Sequence, residues 1–149
     1  MACSLYAGGD PFVGLWKLDS HKSKFAIGDP SFMFATIQIE SDGAGMKSTA
    51  AAADGQGLAS NFMFNCSLDG APCKVIAAMP MRGVSAVDTI SLKLVDDHTI
   101  RATGLNSGKL VYTDQRVVSA DGATMTVARR GVTPAGKKYQ STIVLTRSQ

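Results

Sequence analysis

The chain has 149 residues, 45% hydrophobic and 18% charged, with 15 Lys and Arg against 12 Asp and Glu for a net charge of +3. That length suits one domain. The composition excludes intrinsic disorder, which needs low hydrophobicity and high charge, and no stretch offers the roughly 18 consecutive apolar residues of a membrane span. The cations are too dispersed for a phosphate-binding face, since only Arg129-Arg130 and Lys137-Lys138 are adjacent, so no nucleic-acid partner is expected.

Residues 1–11 read as an N-terminal tail and 12–149 as a single domain. The first nine residues carry no basic segment and too short an apolar run for a signal peptide. The location expected of the sequence as written is cytoplasmic, or periplasmic or secreted if a leader has been removed. Three cysteines, Cys3, Cys66 and Cys73, cannot form a disulfide framework.

Turn signals such as Ser41-Asp42-Gly43, Asp69-Gly70, Asp96-Asp97, Asn106-Ser107-Gly108 and Asp121-Gly122 recur along the chain. Their spacing of roughly 10 to 15 residues is that of antiparallel strands joined by short hairpins. Between them the pattern alternates with period two, as in Ala35-Thr36-Ile37-Gln38-Ile39-Glu40. The expected strands are 13–18, 31–40, 46–53, 58–68, 71–78, 86–95, 99–105, 109–119, 123–131 and 137–147. One helical turn is expected within 19–25, capped by Asp19 or Ser20. The turn and following methionine of Asp42-Gly-Ala-Gly-Met46 recur in Asp121-Gly-Ala-Thr-Met125, which suggests two equivalent hairpins. An all-β chain with so many hairpins must hide its edges, and closing into a single up-and-down antiparallel barrel of about ten strands (8–10) does so most completely.

The first strand reads Phe12-Val-Gly14-Leu15-Trp16-Lys17-Leu18. Gly-x-Trp near the N-terminus of an all-β chain of this length resembles the opening of the calycins, the lipocalins and fatty-acid-binding proteins. The resemblance implies that Trp16 closes one end of the barrel and that a late basic residue, here Arg147, packs across its indole. A guanidinium stacks well on an indole whatever the family. Ten strands match the fatty-acid-binding pattern better than the lipocalin one. The helix pair that follows strand one in that family is not evident in residues 19–30, so the chain resembles a bacterial-style relative with a short lid.

His21 and His98 are isolated and no Cys-x-x-Cys occurs, so no metal site and no cofactor are expected. Asp19-Ser20-His21 holds the residue types of a hydrolytic triad, but three consecutive residues cannot form its relay. If Asp69-Gly70 is a two-residue turn, Cys66 faces Cys73 at a Cα separation of about 5.5 Å. Two separate packed thiols are the expectation, and a disulfide is geometrically allowed.

Strand eight carries the functional signal. Leu110, Tyr112, Asp114, Arg116 and Val118 share one face, and Val111, Thr113, Gln115 and Val117 the other. Neither face is wholly apolar, which is odd for a strand in a solid core. Met125, Val127 and Arg129 share a face of strand nine, and Tyr139, Ser141, Ile143, Leu145 and Arg147 a face of strand ten. Polar side chains facing a barrel interior are costly unless they meet water, one another or a ligand.

The expected function is therefore that of a small-molecule binding protein, holding a hydrophobic or amphiphilic ligand, a lipid among them, in the barrel. The candidate ligand-binding residues are Tyr112, Arg116, Tyr139, Arg129, Phe62, Phe64 and Ile37. Met33, Ile90, Leu92, Met125 and Ile143 complete the apolar walls. An alternative role for Arg116 is internal pairing with Asp114 or exposure to solvent. The alternative function is a cofactor-independent ester or lactone hydrolase or isomerase using Asp114, Tyr112 or His98 as acid or base. A monomer or small homo-oligomer is expected.

Overall fold

The computed structural model describes residues 10–26, 32–43, 45–54, 59–76, 87–133 and 135–148. Ten strands form one antiparallel sheet: β1 (Gly14–Leu18), β2 (Phe32–Asp42), β3 (Gly45–Asp54), β4 (Ala59–Ser67), β5 (Asp69–Lys74), β6 (Thr89–Asp96), β7 (Thr99–Asn106), β8 (Lys109–Val118), β9 (Thr124–Val132) and β10 (Lys138–Ser148). The expected strand ends at 31, 58, 77–78 and 86, and the side chain of Met33, lie outside the described residues.

The sheet order is β4-β3-β2-β1-β10-β9-β8-β7-β6-β5, so the first and last strands meet and the sheet curls into a nearly closed barrel. The seam falls between β4 and β5. No ladder joins those strands there. A single bridge between Met63 and Ile76 crosses it, and so does a disulfide between Cys66 and Cys73, with Cα atoms 5.5 Å apart. The two cysteines do face one another, but as a bonded pair, which corrects the expectation of separate thiols.

Local chemistry sets the hairpins. Asp69, Asp96 and Asp121 each accept a hydrogen bond from the backbone N–H two residues on, at 2.9, 2.9 and 3.0 Å, the bond that lets aspartate start a turn. Ser107-Gly108 joins β7 to β8 with φ of 50° and 81°, the two positive angles that a two-residue turn needs to match strand twist. The β2–β3 and β8–β9 hairpins, which carry the repeated motif, both turn at a positive-φ glycine and both bury the methionine that follows, Met46 and Met125. After β1, Asp19 accepts from the N–H groups of His21 and Lys22, and one turn forms without growing into a helix.

At one end of the barrel, β1 and β10 bring Trp16 and Arg147 together. Trp16 is fully buried and donates its indole N–H to the Phe12 carbonyl at 2.8 Å. Arg147 pairs with Trp16 in register and lies over its ring, 4.3 Å from guanidinium carbon to centroid. Its remaining donors reach the carbonyls of Gly122, Pro11 and Val13. Asp10–Phe12, where the expected tail meets the domain, form a short 3-10 turn whose Pro11 carbonyl accepts from Arg147.

Candidate functional site

Register places three rows of inward residues across β6 to β10. Leu94, Ile100, Arg116, Val127 and Ile143 form one; Leu92, Ala102, Asp114, Arg129 and Ser141 the next; Ile90, Gly104, Tyr112, Gly131 and Tyr139 the third. The row of Asp114 and Arg129 therefore lies between a row that is aliphatic apart from Arg116 and one that alternates glycine with tyrosine. The glycines make room for the rings. A Cβ on Gly104 would come within 2.8 Å of the Tyr112 ring, and one on Gly131 would collide with the Tyr139 ring.

Asp114 is the centre. Its carboxylate accepts from Arg129 Nε at 2.8 Å and Nη2 at 2.9 Å, and from Arg116 Nη2 at 3.0 Å. The arrangement around Arg129 is the bidentate fork that makes arginine–carboxylate pairs strong. Arg129 also stacks on Tyr112, 3.9 Å from guanidinium carbon to ring centroid. Two guanidiniums from adjacent rows around one carboxylate leave the cluster with a formal charge of +1. The Asp114 side chain is wholly buried, yet those of Arg116 and Arg129 remain 14% and 18% exposed.

Burial alone would raise the Asp114 carboxyl, but the adjacent Arg129 and Arg116 charges outweigh it and hold the group below its ordinary value. Burial pushes the Tyr112 phenol up, so it stays neutral. Asp114 holds Arg129 so firmly protonated, against its own burial, that this guanidinium is a permanent cation.

The candidates therefore divide. Tyr112, Asp114, Arg116, Arg129 and Tyr139 come together in adjacent rows, and Arg116 takes the internal pairing with Asp114. Phe64 lies in the fully buried core, while Ile37 and Phe62 are half-buried beside it. His98 does not join them: it sits in the β6–β7 turn, its backbone N–H bound to Asp96. With both carboxylate oxygens occupied and its basicity lowered, Asp114 is a poor general base. Among the described residues, no acid–base pair converges on a common point.

Leu110 also moves. Counting by two places it inside and Val111 outside, but a register shift opposite Gly104 and Leu105 makes Val111 an extra residue. Val111 is buried, and Leu110 is 52% exposed. The spacing rule did not reveal the glycine partners Gly104 and Gly131; a glycine inside each of β7 and β9, the strands flanking β8, each opposite a tyrosine, is the signal that could have found them.

No protein-family model matches the chain, and no curated protein matches it. Among the described residues there is no helix long and apolar enough to cross a membrane, and no group of three or more His, Cys, Asp or Glu that could hold a metal.

Proposed function

We propose that this chain is a calycin-like binding protein that holds an amphiphile inside the barrel, with the polar head at the Tyr112–Arg116–Arg129–Tyr139 layer. The observation that carries the proposal is the excess positive charge facing inward. A buried cluster that served only to hold strands together would be balanced, because an uncompensated interior charge is expensive. Here one positive charge is left over, and both guanidiniums retain accessible surface. An anionic head would neutralise that charge through charge-assisted hydrogen bonds. Inward Ile37, Phe62 and Leu94 are only partly buried, which supports a barrel whose walls still have surface to cover. A hydrocarbon tail against them gains about 25 cal/mol per Å² removed from water, so the tail sets most of the affinity and the arginines set the preference for an acid.

The Trp16–Arg147 closure and the ten-strand order support kinship with the fatty-acid-binding branch. The disulfide favours an oxidising compartment, hence the periplasmic or secreted location.

Calorimetric titration of dodecanoate and dodecanol into the wild type and into Arg116→Met tests the proposal. The wild type should prefer the acid, and the substitution should weaken the acid more than the alcohol. Equal weakening, or binding of neither ligand, would overturn it.

A further inference from the structure

The outer face of the same strands carries a second feature, which shares only Gly131 and Tyr139 with the interior rows. A groove of about 440 Å³ lies over β8, β9 and β10, lined by Leu110, Thr113, Arg130, Val132, Lys138 and Gln140 among others. Register brings its polar residues together: Thr113 pairs with Arg130, Arg130 with Gln140, and Val132 with Lys138. Arg130 and Lys138 are therefore diagonal neighbours on one face of an antiparallel pair, where Cα atoms lie about 7–8 Å apart and long side chains reach each other. The adjacent basic pairs of the sequence are thus split. Arg129 turns inward to Asp114, while Arg130 turns outward beside Lys138.

Two neighbouring cations repel, and an opposite charge beside them would be stabilising. Here, among the described residues, neither Arg130 nor Lys138 has an ion-pair partner, and no Asp or Glu lines the groove. The apolar side of the groove is equally specific. The bulge at Val111 aims Leu110 out of the barrel and into the groove beside Val132, at the cost of exposing a leucine. Bulges commonly re-aim side chains in this way next to functional sites.

We propose that this groove binds a small amphiphilic anion: a carboxylate, sulfate or phosphate monoester with an alkyl or aryl body. Arg130 presents a planar fork to the head and Lys138 a mobile point charge. Thr113 and Gln140 add neutral hydrogen-bonding groups, and Leu110 and Val132 cover the body. Because the cations are exposed, binding weakens as salt is raised.

The test is an amide-resolved NMR titration of the wild-type protein with octyl sulfate, kept below its micelle-forming concentration. The expected result is saturable shifts at Thr113, Arg130, Val132 and Gln140, weaker in high salt. Arg130→Ser/Lys138→Ser should lose at least about tenfold in affinity, the equivalent of 1.4 kcal/mol. Both side chains are exposed, so the unliganded spectrum of this variant should otherwise match the wild type. Arg116→Met, which alters only the interior, should leave these shifts in place. The proposal is overturned if octyltrimethylammonium binds equally well, if the double substitution changes nothing, or if the shifts follow inward residues and vanish in Arg116→Met. Binding to phosphatidylglycerol vesicles without binding to monomeric octyl sulfate would also overturn it, and would identify a membrane-facing patch instead.

Discussion

Replacing Asp114 with asparagine removes one charge from the centre of the inner layer and almost no volume. Asp114→Asn leaves the two guanidiniums, 14% and 18% exposed, with no anion and with an amide that can direct an N–H toward them. Breaking a buried pair by removing one partner costs about 3–5 kcal/mol. Residual solvent access to both arginines places the expected cost near the lower end, about 3 kcal/mol, or a fall in midpoint of about 6–12 °C for a chain of this size. The pH dependence is the sharper readout. The folded Asp114 carboxyl lies below its ordinary value, so its stabilisation is fully present above the unfolded value and is lost as pH falls through the folded one. The wild type should therefore lose its advantage over Asp114→Asn in acid. Asp69, Asp96 and Asp121 are also held low, by Ser67, the His98 backbone and Ser119 respectively, but they are common to both proteins and cancel in the difference. Urea unfolding of both proteins from pH 7 to pH 2 measures it. A cost below about 1 kcal/mol at pH 7, or a difference unchanged across the range, would refute the reasoning. The apolar replacement Asp114→Leu/Arg116→Leu/Arg129→Met should be near neutral, since it removes every buried charge at once.

Trp16→Ala should cost about 3–5 kcal/mol by urea unfolding, the range for a large core aromatic. Arg147→Lys should not be neutral, and the double mutant should be non-additive because the two side chains stack. Reducing the Cys66–Cys73 bond, or Cys66→Ser/Cys73→Ser, should lower stability by about 2.5 kcal/mol for so short a loop, and a non-reducing mass showing Cys66 and Cys73 both as free thiols would contradict the pairing. Gly104→Ala should cost about 1–3 kcal/mol from overpacking, because Tyr112 is pinned by Arg129 and cannot swing away from the new methyl.

Strand positions were legible because alternation and Asp-Gly turns are local signals. Asp42-Gly43 and Asp121-Gly122 mark where the chain must reverse, and the residues between such marks are bound to pair. Trp16 and Arg147 were legible for a different reason: the Gly-x-Trp resemblance implied the pair, and parity along the last strand was consistent with an inward Arg147. Parity failed at Leu110, because nothing in Lys109-Leu110-Val111-Tyr112 announces that one residue will be extra. It also left the seam open: Cys66 and Cys73 were correctly opposed, but opposition alone does not decide whether a bond forms. The inner charge network was half legible. Asp114 and Arg116 lie two residues apart on one strand, so their pairing could be proposed. The stronger bond, from Arg129, depends on the β8–β9 register that sets it directly opposite Asp114.

That register has a functional consequence that separates stability from binding. Asp114 orients both guanidiniums but also cancels one of their charges. On the proposed function, Asp114→Asn therefore raises the charge facing the ligand from +1 to +2 while loosening the protein that carries it. Added Coulomb attraction of about 1–2 kcal/mol in a partly solvated interior should tighten dodecanoate binding by about tenfold and leave dodecanol nearly unchanged. Arg129→Met should act in the opposite direction on the acid, because Asp114 is then balanced by Arg116 alone and no positive charge remains. Calorimetry with both ligands, run at a temperature where each variant is fully folded, distinguishes the cases. If Asp114→Asn binds the acid more weakly than the wild type does, geometry rather than charge governs the head group. Asp114 would then be a positioning residue whose hydrogen bonds matter more than its sign.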